Sequence, residues 1–83
     1  MSIDKELQEA AETGSLVVGT DETIKHIDSL DRIVLASNVP EDIEDEVRGE
    51  AGDGTDIEMA EVDNQELGSL CMKPFSASVV GIE

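Results

Sequence analysis

The apolar residues of this chain fall into short blocks that alternate between helical and strand spacing. Ile3, Leu7, Ala10 and Ala11 recur at helical intervals. Ser2 is a candidate cap for that helix, and Gly14 can end it in a left-handed conformation. Ser15 to Val18 reads as a short strand. Gly19 then turns the chain, and Thr20 is a candidate N-cap for a second helix with Ile24, Ile27 and Leu30 on its inner side.

Ile33-Val34-Leu35-Ala36 is a continuous run, rich in β-branched residues and bounded by polar ones. Such a run predicts a central strand covered on both faces. Val39 precedes a proline and is expected to be extended. Pro40 suits the first turn of a third helix, where Glu41 and Asp42 meet the positive end of its dipole. Ile43, Val47 and Ala51 give this helix a narrow apolar stripe, and its other face is nearly all acid. Gly52-Asp53-Gly54 reads as a turn. Ile57 and Met59 alternate with Asp56 and Glu58, which predicts a strand with one wet face near a sheet edge. Asp63-Asn64-Gln65-Glu66 offers a capping box, with Asp63 as cap and Glu66 reaching back. Leu67, Leu70 and Cys71 form the stripe of the fourth helix. Phe75 to Ile82 reads as the last strand.

The order is αβαβαβαβ, which implies an α/β fold with one sheet sandwiched between helices. No internal repeat or low-complexity linker divides the chain, so residues 1–83 are expected to form a single domain. A chain of this size buries roughly 60–65% of its extended surface and can fold alone with little margin. No apolar segment is long enough to span a bilayer, and the start lacks a basic-plus-apolar signal. These features predict a cytoplasmic protein. The lone Cys71 excludes an internal disulfide and fits a reducing compartment.

Charge changes the picture most. The sequence holds 21 Asp and Glu against five Lys and Arg, a formal net charge of -16. Three readings compete. A disordered acidic tail is opposed by the 39% of hydrophobic residues and their periodic blocks. An acidic domain that holds basic partners is the second. The third is a protein suited to molar salt, where a Debye length of about 3 Å screens self-repulsion. Scarce lysine, a single aromatic and many small residues favour the third.

Against that background two segments stand out: Gly19-Thr20-Asp21-Glu22-Thr23-Ile24-Lys25 and Glu66-Leu67-Gly68-Ser69-Leu70-Cys71-Met72-Lys73-Pro74. Each places a glycine, small polar residues and one lysine where strand and helix meet. In so acidic a chain, a lysine kept at such a junction is a candidate anion contact. Both segments resemble the kink-turn-binding ribosomal protein family, which includes the large-subunit proteins called thirty-e and seven-Ae. The first is similar to that family's Gly-x-Asn-Glu-x-x-Lys at the start of the second helix. The second is similar to the thirty-e pattern Glu-Leu-Gly-x-Leu followed by a basic residue and proline. The order of elements agrees from end to end.

The resemblance implies a three-layer α-β-α sandwich with a mixed four-stranded sheet. It also implies RNA binding through the loop before the second helix and the loop after the fourth, with ribosomal RNA as partner. On this chain the matching positions are Gly19, Thr20, Asp21, Glu22, Lys25, Leu67, Gly68, Ser69 and Lys73. Gly19 would let RNA approach, Glu22 would accept from a guanine edge, and Lys25 would reach a phosphate or guanine oxygen. Leu67 and Leu70 would offer an apolar surface to an extruded base. The chain departs from the family in three ways: Asp21 stands in place of asparagine, the charge is acidic, and the region from Gly49 to Thr55 is trimmed.

Other chemistry is weak. Lys25 is equally able to pair with Asp21 or Asp28 on its own helix. His26 has no second histidine or cysteine near it to make a metal site. Cys71 and His26 lie too far apart in sequence to suggest a dyad. The acids from Glu41 to Glu50 sit on a predicted helix, which makes a solvated face and not a calcium loop. The expectation is therefore a non-catalytic RNA-binding protein with no cofactor and no small-molecule substrate. The alternative is an acidic module of the same fold that has lost RNA binding and holds basic proteins.

Overall fold

The alternation of blocks becomes α1 (Ile3–Thr13), β1 (Leu16–Val18), α2 (Thr20–Lys25), β2 (Arg32–Leu35), α3 (Glu41–Ala51), β3 (Asp56–Met59), α4 (Asn64–Leu70) and β4 (Val79–Ile82). These elements belong to a computed structural model that describes residues 3–52 and 54–83, the side chains of residues 3 and 4 excepted. The expected Ser2 cap and Asp53 of the 52–54 turn lie outside the described residues.

The strands form one mixed sheet in the order β1-β4-β2-β3. β4 runs antiparallel to both β1 and β2, and β3 runs parallel to β2. Side chains alternate across it with the period of two that strands impose. Ile33, Leu35 and Val79 face one side, where Ile24, Ile27 and Leu30 meet Ile43 and Val47 of α3. Val34, Val80 and Ile82 face the other, against Leu7 and Ala10 of α1 and Leu67 and Cys71 of α4. The result is the expected three-layer sandwich, with α1 and α4 over one face and α2 and α3 over the other. β2 is fully buried from Ile33 to Leu35, as its unbroken apolar run predicts.

Local departures from the sequence reading have identifiable causes. The last strand was expected from Phe75, but β4 begins at Val79. Residues 72–77 are instead folded over α4. The Lys73 N–H donates to the Gly68 carbonyl at 3.0 Å, and the Ala77 N–H to the Asn64 carbonyl at 2.9 Å. Thr20 is not the cap of α2 but its first residue; the cap position belongs to Gly19 at φ 108°, ψ 154°. Only glycine occupies that conformation readily.

α2 also stops at Lys25 instead of running to Leu30. His26 leaves helical geometry at φ -103°, ψ 17°, and a short 3-10 turn over Ile27–Ser29 follows. The Ser29 hydroxyl and N–H both donate to the His26 carbonyl and close that turn. Pro40 likewise sits at the cap of α3, one residue before its first turn. At the sheet edge, Ile57 packs inward but Met59 is 42% exposed. The Asp63 cap forms as expected, its carboxylate accepting from the Glu66 N–H at 2.9 Å.

Candidate nucleic-acid interface

One end of the sheet gathers several chain segments that are distant in sequence. The Gly19 N–H donates to the Val79 carbonyl at 2.9 Å, which ties the start of α2 to the entry of β4. The Ala36 N–H donates to the Ser78 carbonyl at 2.9 Å, and the Ser37 N–H to the Val62 carbonyl at 2.8 Å. Asn38 then clamps the start of α4: its side-chain carbonyl accepts from the Asn64 N–H at 2.9 Å, and its amide donates to the Asn64 Oδ1 at 3.0 Å. The other end of the sheet is closed separately, by the Asp31 N–H on the Ile82 carbonyl and the Ser29 hydroxyl on the Glu83 carboxylate.

α2 runs from the first end toward the second. Gly19, Thr20, Asp21 and Glu22 therefore lie at the same end as the loop between α4 and β4. Lys25 sits on the last turn of α2, about 7–8 Å farther along its axis at 1.5 Å per residue. The two lysines singled out in the sequence thus stand in opposite layers of the sandwich, Lys25 on α2 and Lys73 after α4, where the Lys73 N–H is tied to the Gly68 carbonyl at 3.0 Å.

The loop after α4 is built around Gly68. A Cβ there would collide with the Phe75 carbonyl, so glycine is what lets the loop cross the helix closely. Gly68 is consequently buried, and its role is to admit the loop. Leu67 is a correction to the expected site: its side chain is completely buried in the core against α1 and the sheet. It offers no apolar surface to a ligand, and Leu70 is half-buried against the same core.

What the loop does expose is different. Met72, in left-handed geometry at φ 62°, is 64% exposed, and Phe75 is 56% exposed. Gln65, Ser69, Lys73, Pro74, Phe75 and Ser76 line an open groove of about 360 Å³. The exposure of Phe75 is hidden in the sequence, because the run from Phe75 to Ile82 reads as strand. The available signal was its place directly after Lys73-Pro74, as the only aromatic in the chain.

The ion pairs divide the arginines from the lysines, and Lys5, like Lys25 and Lys73, has none among the described residues. Among the described residues, Arg32 pairs with Glu6 at 2.7 Å and Arg48 with Glu44 at 2.9 Å, whereas Lys25 and Lys73 make no ion pair. The alternative partners of Lys25, Asp21 and Asp28, are not engaged. Glu22 instead has its carboxylate 3.7 Å from His26 Nε2, one turn on. Behind the loop, burial pushes the Cys71 thiol up to about 11, an effect that the nearby Lys73 charge partly offsets. The thiol is therefore protonated at neutral pH and unsuited to nucleophilic chemistry.

Fold and loop cluster define an α-β-α sandwich domain whose exposed polar loops converge at one end of a mixed sheet. The chain belongs to the ribosomal protein L7Ae/L30e/S12e/Gadd45 family, whose model it matches over residues 1–83. It is 30% identical to the large ribosomal subunit protein eL30 of Methanocaldococcus jannaschii, over 96% of this chain and 76% of that one. The eL30 of Methanosarcina mazei is 33% identical over 99% of this chain and 79% of its own length. Among solved structures, a protein of unknown function from Bacillus halodurans superimposes with a TM-score of 0.81 at 19% identity, covering 92% of this chain and 78% of that one. The Giardia lamblia 15.5kD RNA binding protein does so with a TM-score of 0.76 at 15% identity, covering 96% and 69%. The family is the one that the two sequence motifs indicated. The relatives named eL30 are large ribosomal subunit proteins.

Proposed function

We propose that this chain is an RNA-binding protein of the large ribosomal subunit, acting in the cytoplasm, and that it recognises a kink-turn-type RNA. The observation that carries the reading is the convergence of two loops, singled out separately in the sequence, at one end of the sheet in a full-length match to the family. eL30 is the name borne by its relatives, and a structural neighbour is an RNA binding protein.

In this reading the backbone at Gly19 and Thr20 meets the sugar–phosphate chain without side-chain obstruction. Glu22 accepts from a guanine edge. Lys73 and Ser69 contact phosphate from the groove, and Lys25 contributes a charge from one turn down α2. Phe75 and Met72 replace the two leucines as the apolar surface for an unstacked base. Asp21 works against this function, because its carboxylate stands near the expected phosphate path.

Binding of a kink-turn RNA in molar potassium chloride tests the reading. Phe75→Ala is expected to weaken binding about tenfold or more, the scale of one stacked base. Lys73→Ala is expected to weaken it less and Asp21→Asn to tighten it, while Glu44→Gln on α3 leaves it unchanged. No binding by either the parent or Asp21→Asn would favour an acidic module that holds basic proteins.

A further inference from the structure

β3 is the outer strand on one side of the sheet, and among the described residues no strand pairs with its far edge. Its inner edge is fully used. The Asp56 N–H donates to the Asp31 carbonyl, and the Ala60 N–H to the Leu35 carbonyl at 2.7 Å. In a parallel ladder alternate residues face the same neighbour, so Asp56, Glu58 and Ala60 face β2 and the residues alternating with them turn both N–H and C=O the other way. Ile57 and Met59 therefore present their backbone groups to the open side.

The side chains add chemistry to that open ladder. Met59 is 42% exposed and lies on the same face as Ile57, beside the acid-covered helix α3. Asp56 and Glu58 are exposed on the opposite face, and Glu61 follows just after the strand. The nearest cation across the ladder is Arg32, paired in register with Asp56, and its guanidinium is held by Glu6 at 2.7 Å. The edge thus alternates carboxylates with apolar groups, and no free cation sits on it among the described residues.

We propose that the β3 edge binds an extended segment of a basic protein, which adds a strand to the sheet. The occupant alternates lysine or arginine with apolar residues, its cations facing Asp56 and Glu58 and its apolar side chains facing Ile57 and Met59. Main-chain bonds to Ile57 and Met59 hold it, and side-chain alternation selects it. A second copy of this chain is disfavoured at the same edge. Two β3 strands laid side by side would bring carboxylates against carboxylates. The same acids that guard the edge against self-association attract a basic strand. This surface is distinct from the RNA reading, because it is the outer edge of β3 and uses none of the residues assigned to RNA contact.

The test is a peptide of alternating lysine and valine, added to the isotope-labelled protein at a salt concentration where it is folded. Amide exchange at Ile57 and Met59 is expected to slow by roughly tenfold at saturation, and a glutamate–valine peptide is expected to do nothing. Met59→Pro removes an outward N–H without touching the β2 ladder, and it is expected to abolish binding. If that variant fails to fold, alternate N-methylation of the peptide tests the same bonds from the other side and is expected to abolish binding too. Three results would overturn the proposal: peptide contacts confined to α3, equal binding by the N-methylated peptide, or a dimer formed through β3.

Discussion

A methyl group at Gly68 would run into the Phe75 carbonyl, an atom that the loop across α4 holds in place. The loop cannot retreat freely, because the Lys73 and Ala77 N–H groups tie it to α4 on both sides of that carbonyl. Gly68→Ala is expected to cost about 2–3 kcal/mol, as overpacking of a closed site does. Urea unfolding at constant high salt measures it, and an unchanged midpoint would mean the loop is not seated there. Thr23 poses the opposite case. It is the fully buried residue of α2, and its hydroxyl has no hydrogen-bond partner among the described residues. A buried, unpaired hydroxyl costs about 1–2 kcal/mol. Thr23→Val keeps the branched shape and deletes that group, so its melting temperature is expected to rise by several degrees. A drop would reveal that the hydroxyl is satisfied by bound water.

At the scale of elements, the sequence was most legible where one local cause decides the outcome. The run from Ile33 to Leu35 is apolar on both faces, so it marks the buried centre of the sheet without reference to anything else. The Asp63 cap is equally local: its carboxylate takes the Glu66 N–H at 2.9 Å, in the geometry that the spacing predicts. Asp63→Ala is expected to cost about 1 kcal/mol and to loosen α4 first, visible as faster amide exchange at Glu66 and Leu67. Elements were misread where distant contacts decide. Phe75 to Ser78 looks like strand, yet the pull of α4 on Lys73 and Ala77 turns it into the loop that shapes the groove. α2 looks long enough to reach Leu30, yet it breaks at His26 and a 3-10 turn brings Ile27 and Leu30 to the same core. The candidate site shows the same division. The turn at Gly19 and the exposed position of Lys73 follow from motif and charge. Burial of Leu67 and exposure of Phe75 do not, because both depend on how tightly the loop crosses Gly68.

Across the whole molecule, 21 acids face five Lys and Arg, and folding brings that charge together on a small surface. The described ion pairs relieve little of it. Arg32–Glu6 joins separate elements, while Arg48–Glu44 lies within one turn of a helix. Exposed pairs of the latter kind contribute at most a few tenths of a kcal/mol. On α3, the exposed Glu41, Asp42, Asp45, Glu46 and Glu50 repel one another with only Arg48 among them. The sandwich beneath is ordinary, with aliphatic layers on both faces of the sheet, so its stability is expected to depend on how strongly solvent screens the surface. The Debye length falls from about 30 Å at 0.01 M to about 3 Å at 1 M, shorter than the spacing between most neighbouring side-chain charges. The melting temperature is therefore expected to climb steeply as potassium chloride is raised toward molar concentration. Two variants separate screening from a general salting-out of apolar surface. Asp45→Asn and Glu46→Gln remove charge without removing contacts, since both side chains are exposed. They are expected to raise the melting temperature in dilute buffer and to leave it unchanged in molar salt. A melting temperature that is equally high and equally cooperative at low salt would refute the view that this surface is adapted to molar salt. If the parent responds to salt but the two variants give no gain in dilute buffer, strengthened apolar burial, not screening, is the cause.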